Sequence, residues 1–333
     1  MKVLVTGGFG LVGKSLQRVV ASDDSLQRVV ASDDTEANSC PVFVFVGRKD
    51  ADLRDVSEVT RLFKLHKPDV VVHLASCVGG VYDNMANNYR YLVDNLRINT
   101  NVVDACNQFG VKRLISCLST CIFPESGITY PLTSDQLHKG LPHSSNIGYA
   151  FSKRILDLTG HLLANAPGSV TRVVNVTPTN LYGENDNYNL QSSHVIPGLI
   201  HKTYLSKSTT GDLTVYGSGS ALRQFLYVDD LSRVILRFIG YKFTNGESSI
   251  SCIVSPPESS ECSIRDLVQM ITEISEFTGK IVYDTSYADG QHKKTASGDE
   301  ICKYFPDFQF TPLHVGLKRT IQYFENNYNT LRC

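Results

Sequence analysis

A chain of 333 residues has material for one large domain or two moderate ones, and its 42% hydrophobic and 20% charged content is that of an ordinary globular protein. A net charge of −1 with interspersed signs excludes a general nucleic-acid or membrane-surface binder, so any basic cluster serves a local anion. No apolar run is long enough to cross a bilayer, no secretory leader is visible, and nine scattered cysteines fit thiols in a reducing compartment, so a cytoplasmic protein without structural metal is expected.

Val3-Leu4-Val5-Thr6 predicts a short buried strand, and the glycines at 7, 10 and 13 predict a tight turn into a helix. Gly10 lets the main chain approach a pyrophosphate, while Gly13 lets the helix pack close to the sheet. The helix start offers unbonded N–H groups and a positive dipole end. Gly7, Gly8, Phe9, Gly10, Leu11, Val12 and Gly13 are therefore candidate dinucleotide contacts, the plain alternative being a tight turn. Residues 15–24 and 25–34 are one decapeptide written twice. Ten residues leave a helix about 80° short of three turns, so a continuous helix would swing the second apolar stripe off the sheet. The second copy is expected to be a surface excursion.

Val42 to Val46 predicts a second strand, followed by Gly47-Arg48-Lys49. Two cations with no acid favour a ribose 2′-phosphate, hence NADP(H) over NAD(H), against the alternative of a solvated basic turn. Asp52 and Leu53 would follow beside the adenine. Asp55 with Glu58 predicts a capping box opening a helix to His66. Val70 to Ala75 is an unbroken apolar run around His73, read as a buried parallel strand with a core histidine. A long amphipathic helix over 87–109, a strand from Arg113 to Ser119, a helix over 146–166 and a strand from Val170 to Thr177 follow. This alternation predicts an α/β protein with a Rossmann-type doubly wound parallel sheet.

After Gly183 the texture turns polar and Asn-, Gly- and Ser-rich. Phe225 to Ile239 reads as a return to the first domain, with Asp229 and Asp230 capping a helix. Ile264 to Phe277 and Leu313 to Tyr328 read as amphipathic helices, and Lys280 to Tyr283 as a strand. The expected division is 1–183 with 225–254 for the dinucleotide domain, and 184–224 with 255–333 for a smaller, discontinuous α/β substrate domain.

Tyr149 and Lys153 stand four residues apart, on one face of the helix over 146–166. A neighbouring ammonium is expected to lower the phenol pKa from about 10, readying it to exchange a proton with a carbonyl undergoing reduction. Ser119 ends the strand before it. Cys117 and Cys121 lie too far from other ligand pairs to suggest zinc.

The Thr-Gly-Gly-Phe-Gly-Leu-Val-Gly turn, Ser119 and Tyr149-x-x-x-Lys153 resemble the extended short-chain dehydrogenase/reductase superfamily. More narrowly, Ser119-Thr120-Cys121-Ile122-Phe123-Pro124 and Pro178-Thr179-Asn180-Leu181-Tyr182-Gly183 resemble the GDP-L-fucose synthase family. Ser193-His194-Val195-Ile196-Pro197, Arg223-Gln224-Phe225 and Asp289-Gly290-Gln291-His292-Lys293-Lys294 extend the likeness from residue 1 to about 328. It implies a bifunctional enzyme that epimerises GDP-4-keto-6-deoxy-D-mannose at C3 and C5, then reduces C4 with NADPH. It further implies Cys121 and His194 as the acid–base pair of epimerisation, Tyr149 as proton donor to the C4 oxygen, Ser119 as its hydrogen-bonding partner, and Lys153 on the nicotinamide ribose. Cys117, Leu118, Ser119, Thr120, Pro178, Thr179, Asn180, Leu181 and His194 would line the cofactor. Lys202, Arg223, Asp289, Lys293 and Lys294 would bind the GDP moiety, and Tyr216 would cover guanine or ribose by stacking. Lys202 and Tyr216 stand where the family often has arginine and tryptophan, and a lysine loses bidentate phosphate geometry. A homodimer through 87–109 and 146–166 is implied as well. A nucleotide-sugar 4-epimerase or 4,6-dehydratase with tightly held NAD, and a catalytically silent dinucleotide sensor, remain the alternatives.

Overall fold

The computed structural model describes residues 1–22, 40–209, 211–244, 246–287, 289 and 291–331; the second decapeptide copy lies outside them. Two compact units divide the chain, one of Met1–Ile128, Ser134–Pro178 and Asp229–Val254, the other of Thr129–Thr133, Thr179–Val228 and Ser255–Cys333.

The first unit is built on a six-stranded sheet. Its strands are β1 (Lys2–Thr6), β2 (Val42–Val46), β3 (Val70–His73), β4 (Arg113–Cys117), β5 (Arg172–Pro178) and a sixth, Ser249–Val254. All pair in parallel, in the spatial order β2, β1, β3, β4, β5, sixth strand. Unbroken apolar runs suit strands covered on both faces: Val3, Leu4, Val5, Val71, Val72, Leu114, Ile115, Val173 and Val174 are fully buried. Each such side chain contributes about 1.5–3 kcal/mol. From β1 the chain steps outward to β2, then returns to β3 on the other side of β1. That reversal opens a crevice at the carboxyl ends of β1 and β3, where ligands of open α/β sheets bind.

Two glycines make the turn after β1. Gly7 takes φ +68°, and a Cβ there would lie 2.7 Å from Ala75 N. A Cβ on Gly13 would lie 2.5 Å from the Gly8 backbone, so only glycine lets helix Leu11–Ser22 sit against the turn.

His73 is fully buried, and its ring is hydrogen-bonded at both nitrogens, to Thr6 Oγ1 (2.8 Å) and Asn99 Oδ1 (3.1 Å). Asn99 Nδ2 donates to Ser152 O at 3.2 Å, which turns Oδ1 toward the imidazole. Nε2 therefore carries the proton, and Nδ1 accepts from the Thr6 hydroxyl. Burial, then the nearby Lys153 charge, push its pKa down to about 3. The unfolded chain thus binds one more proton than the folded one between about pH 6.5 and 3, and stability falls as pH drops through that window. From pH 7 to 5 this group alone accounts for a loss of about 2 kcal/mol. Urea unfolding of His73→Gln should therefore be flatter with pH than wild type by that amount, and equal slopes would contradict the assignment.

Local details depart from the expectations. Asp55 caps helix Val56–His66 by accepting from Ser57 N (2.7 Å), while Glu58 accepts from Asp52 N (2.6 Å), so the expected box does not form. A capping box is present instead at Ser263 and Asp266. The helix expected from 87 runs Val81–Gln108 and bends at Asn87, whose amide donates to Asp83 Oδ1 (2.7 Å).

In the second unit, helices Val195–Thr209, Ile264–Ile274 and Leu313–Asn327 enclose a core that includes Tyr182, Tyr188, Leu199, Val215, Ile271 and Phe324. Strand Leu213–Tyr216 pairs in parallel with Ile281–Asp284, and Asn180–Tyr182 with Phe225–Tyr227. That second pairing holds 179–183 and 225–228 in the second unit, whereas the sequence placed them with the first. Asp229, where the first unit resumes, accepts from Ser15 Oγ (2.6 Å) and pairs with Arg18, anchoring helix Leu11–Ser22; Asp230 pairs with Arg233.

Candidate active site

At the glycine turn, Gly8 N donates to Val46 O (2.9 Å) and Gly10 N to Gly7 O (3.0 Å). The first helical bond runs from Lys14 N to Gly10 O (2.9 Å), so the N–H groups of Leu11, Val12 and Gly13 precede it and point out of the helix start. A Cβ on Gly10 would meet only Gly7 O, at 3.4 Å, leaving that face open for a phosphate. Phe9 lies against Gly47, and Arg48 and Lys49 are exposed just beyond β2. Leu53 is buried. Asp52 accepts from Arg54 at 3.0 Å and 2.6 Å, and that hydrogen-bonded pairing lowers its pKa to about 2. Arg54, a third cation here, has no motif to announce it.

At the carboxyl end of β4, Leu118 is buried and Ser119 Oγ accepts from Cys121 N (3.4 Å), capping the short turn Thr120–Ile122. Thr120 is buried within it. Helix Ile147–Asn165 holds this turn from below, because Arg154 donates to Ile122 O (2.6 Å) and Gly140 O (2.7 Å). One residue earlier on that helix, Lys153 is 2% exposed and donates from Nζ to Cys117 O at 2.7 Å. Burial lowers its pKa.

Lys153 Nζ lies 5.9 Å from the centroid of the half-buried Tyr149 ring. The expected lowering of the phenol by this ammonium does not occur. Burial dominates and holds the Tyr149 pKa well above its ordinary value; Cys121 and Cys117 add to that, and a Ser76 hydrogen bond opposes it. The phenol is therefore a neutral proton donor near pH 7. Ser76 itself donates to Asn95 Oδ1 (2.9 Å). It lies in the loop after β3, and position at a strand's carboxyl end is the one signal that could have found it.

These residues fit a bound dinucleotide. Lys153 has three donors and a single protein acceptor among the described residues, a costly state for a buried ammonium unless ligand hydroxyls take the others. Among the described residues, no group of three or more His, Cys, Asp or Glu is placed to hold a metal ion, and no helix is long and apolar enough to cross a membrane.

Pro178 ends β5, and next to it Thr179 is buried with a hydroxyl that has no partner among the described residues. Asn180 Nδ2 donates to Gln224 O (2.9 Å), fixing the strand that carries Leu181. In the second unit His194 is exposed at the start of helix Val195–Thr209, its carbonyl accepting from Gly198 N (3.1 Å). Farther along that helix, Lys202 Nζ stands 3.4 Å from the Tyr216 ring centroid, and burial lowers its pKa. Arg223 donates to Gln291 O (2.6 Å) and Leu222 O (2.7 Å), and burial lowers its pKa too. Leu222 N bonds His292 O at 2.9 Å, which draws the half-buried Lys293 and Lys294 alongside. Lys293 lies 3.9 Å from Glu261. Asp289 accepts from Ser218 N (2.6 Å) and Ser218 Oγ (2.7 Å), so its carboxylate secures a turn.

Residues 3–250 match the NAD dependent epimerase/dehydratase family. The chain is 42% identical to the GDP-L-fucose synthase of Dictyostelium discoideum, covering 99% of this chain and 97% of that one. It is 38% identical to a probable GDP-L-fucose synthase of Drosophila melanogaster over 99% of both. The crystal structure of a GDP-L-fucose synthetase from Naegleria fowleri bound to NADP superposes with a TM-score of 0.89 at 40% identity, covering 100% of this chain and 95% of that one. The chain accordingly belongs to the NAD dependent epimerase/dehydratase family and, within it, to the GDP-L-fucose synthases.

Proposed function

We propose that this chain converts GDP-4-keto-6-deoxy-D-mannose to GDP-L-fucose with NADPH, inverting C3 and C5 and then reducing C4. The observation that carries this is one cluster in the first unit: Cys121 lies on the turn that Ser119 caps and Arg154 holds, against the helix that carries Tyr149 and the buried Lys153. A plain reductase needs the last two alone.

C3 and C5 flank the C4 ketone, so loss of either proton gives an enolate. Cys121 and His194 serve as the proton-exchanging pair, one for each face of the carbon being inverted. Tyr149 and Ser119 donate hydrogen bonds to the oxygen where enolate charge collects. The bound cofactor supplies hydride to C4. Tyr149 then gives its proton to the C4 oxygen, and Lys153 holds ribose hydroxyls and stabilises the tyrosinate left behind. Lys202, Arg223 and Lys294 provide positive charge for the diphosphate.

Arg48 and Lys49 select the 2′-phosphate. In Arg48→Ala with Lys49→Ala, NADPH affinity should fall roughly 10- to 100-fold, the worth of charged hydrogen bonds of about 1.5–3 kcal/mol, while NADH affinity hardly changes. Equal losses for both cofactors would exclude 2′-phosphate recognition. The activity itself is tested by NADPH oxidation with the keto-sugar and identification of the product as GDP-L-fucose.

A homodimer is supported by the apolar side chains Tyr89, Leu158 and Leu162, which are 81%, 50% and 62% exposed on helices Val81–Gln108 and Ile147–Asn165. Sedimentation equilibrium should return the mass of two chains, and a monomer would refute it. The cytoplasm is the proposed compartment because the reaction requires Cys121 reduced; recovery in a membrane fraction would refute that.

A further inference from the structure

Arg154 is 6% exposed, and its guanidinium is bonded on two sides only. Nε donates to Ile122 O (2.6 Å) and Nη1 to Gly140 O (2.7 Å), while the buried Nη2 has no partner among the described residues. None of the three nitrogens therefore bonds a carboxylate among them. An arginine keeps its proton inside a protein, and a buried positive charge is costly unless an anion lies near it.

The anion within reach is a thiolate. Cys121 is half-buried and directly precedes Ile122 in the turn Thr120–Ile122, whose backbone the guanidinium grips. Burial lowers the Arg154 pKa and Cys121 opposes that lowering, as a sulfur beside the guanidinium would. The other ionisable groups around this turn are Tyr149, Cys117 and Lys153. Burial keeps the phenol neutral and pushes the Cys117 thiol up, and the Lys153 ammonium is bonded to Cys117 O. Arg154 is the cation bonded to the turn that carries Cys121.

We infer that Arg154 is a positioning residue for Cys121: its guanidinium fixes the turn and supplies the counter-charge of the thiolate. The inference rests on the proposed epimerisation, in which Cys121 exchanges protons with the sugar. A thiol beside a cation ionises more readily, and the thiolate is the form that alkylates, which sets the test.

Iodoacetamide alkylation at pH 7, resolved cysteine by cysteine by peptide mass spectrometry, is compared for wild type, Arg154→Met and Arg154→Lys, with NADPH titrated as a check on folding. In wild type, half-buried Cys121 should react faster than exposed Cys302. Arg154→Met should slow Cys121 about tenfold, the thiolate fraction lost over one pKa unit, while Arg154→Lys keeps the charge and stays within about threefold of wild type. The Cys302 rate and NADPH affinity should be unchanged in both variants. A clamp serving structure alone would shift Arg154→Met the other way, because a loosened turn exposes the thiol. Cys121 alkylated in Arg154→Met as fast as in wild type, or faster, overturns the inference and leaves the epimerisation standing. So does a wild-type Cys121 slower than Cys302, a result that stands even where Arg154→Met does not fold. A wild type whose Cys121 reacts as expected but which takes up no solvent deuterium into the keto-sugar supports the pairing and contradicts the epimerisation.

Discussion

Tyr149→Phe should oxidise NADPH at least about 10²-fold more slowly than wild type, the lower end of what a positioned general acid contributes. The substitution removes one hydroxyl from a half-buried ring and leaves the Lys153–Cys117 bond in place. NADPH affinity should therefore be unchanged. The size of the effect follows from the direction of the phenol's pKa. Burial keeps Tyr149 protonated, so the wild-type residue holds a proton to give when negative charge develops on the C4 oxygen. Phenylalanine has no proton to give. Proton exchange at C3 and C5 should survive in part, because Ser119 still faces the enolate in the proposed chemistry. A Tyr149→Phe enzyme with unchanged kcat would remove the residue from its role.

Cys121→Ser and His194→Gln should each suppress uptake of solvent deuterium at C3 and C5 by roughly 10²-fold or more, the scale of a lost acid–base group. Serine keeps nearly the same volume but replaces a thiol of ordinary pKa about 8.5 with a hydroxyl that does not ionise near neutrality. The turn carrying residue 121 should persist in that variant, since Ser119 Oγ caps it through a backbone N–H and Arg154 holds the Ile122 carbonyl. NADPH binding should be wild-type in both. The residual pattern carries more information than the loss: deuterium at one carbon alone would assign each group to its own centre. Full uptake at both carbons in both variants would refute the epimerisation chemistry.

The parts of this molecule written in local sequence were readable from it. Val3 to Val5, Val70 to Val72 and Val173 to Val174 are apolar without interruption because both faces of their sheet are covered. Gly13 announces the turn because no side chain fits 2.5 Å from a backbone carbonyl. The four-residue spacing of Tyr149 and Lys153 follows from the helical repeat. What sequence hid was set by distant neighbours. The direction of the Tyr149 pKa depends on how completely the surrounding chain excludes water, and two nearby thiols come from a different strand end. Glu58 looked like the far half of a capping box, but Asp52 N, six residues back, offered the shorter reach. Phe225 to Tyr227 has the composition of a buried strand, and composition does not say that Asn180–Tyr182 is its partner. Ser76 belongs to a loop, where side chains take their meaning from what the fold sets beside them.

Proton exchange and reduction of one keto-sugar form the central proposal. Its most direct test is the product formed by the wild-type enzyme from GDP-4-keto-6-deoxy-D-mannose and NADPH in heavy water, read by NMR. The expected product is GDP-L-fucose with deuterium at C3 and C5 and the cofactor's hydrogen at C4. A C4-reduced sugar that keeps its original configuration and protium at C3 and C5 would contradict it.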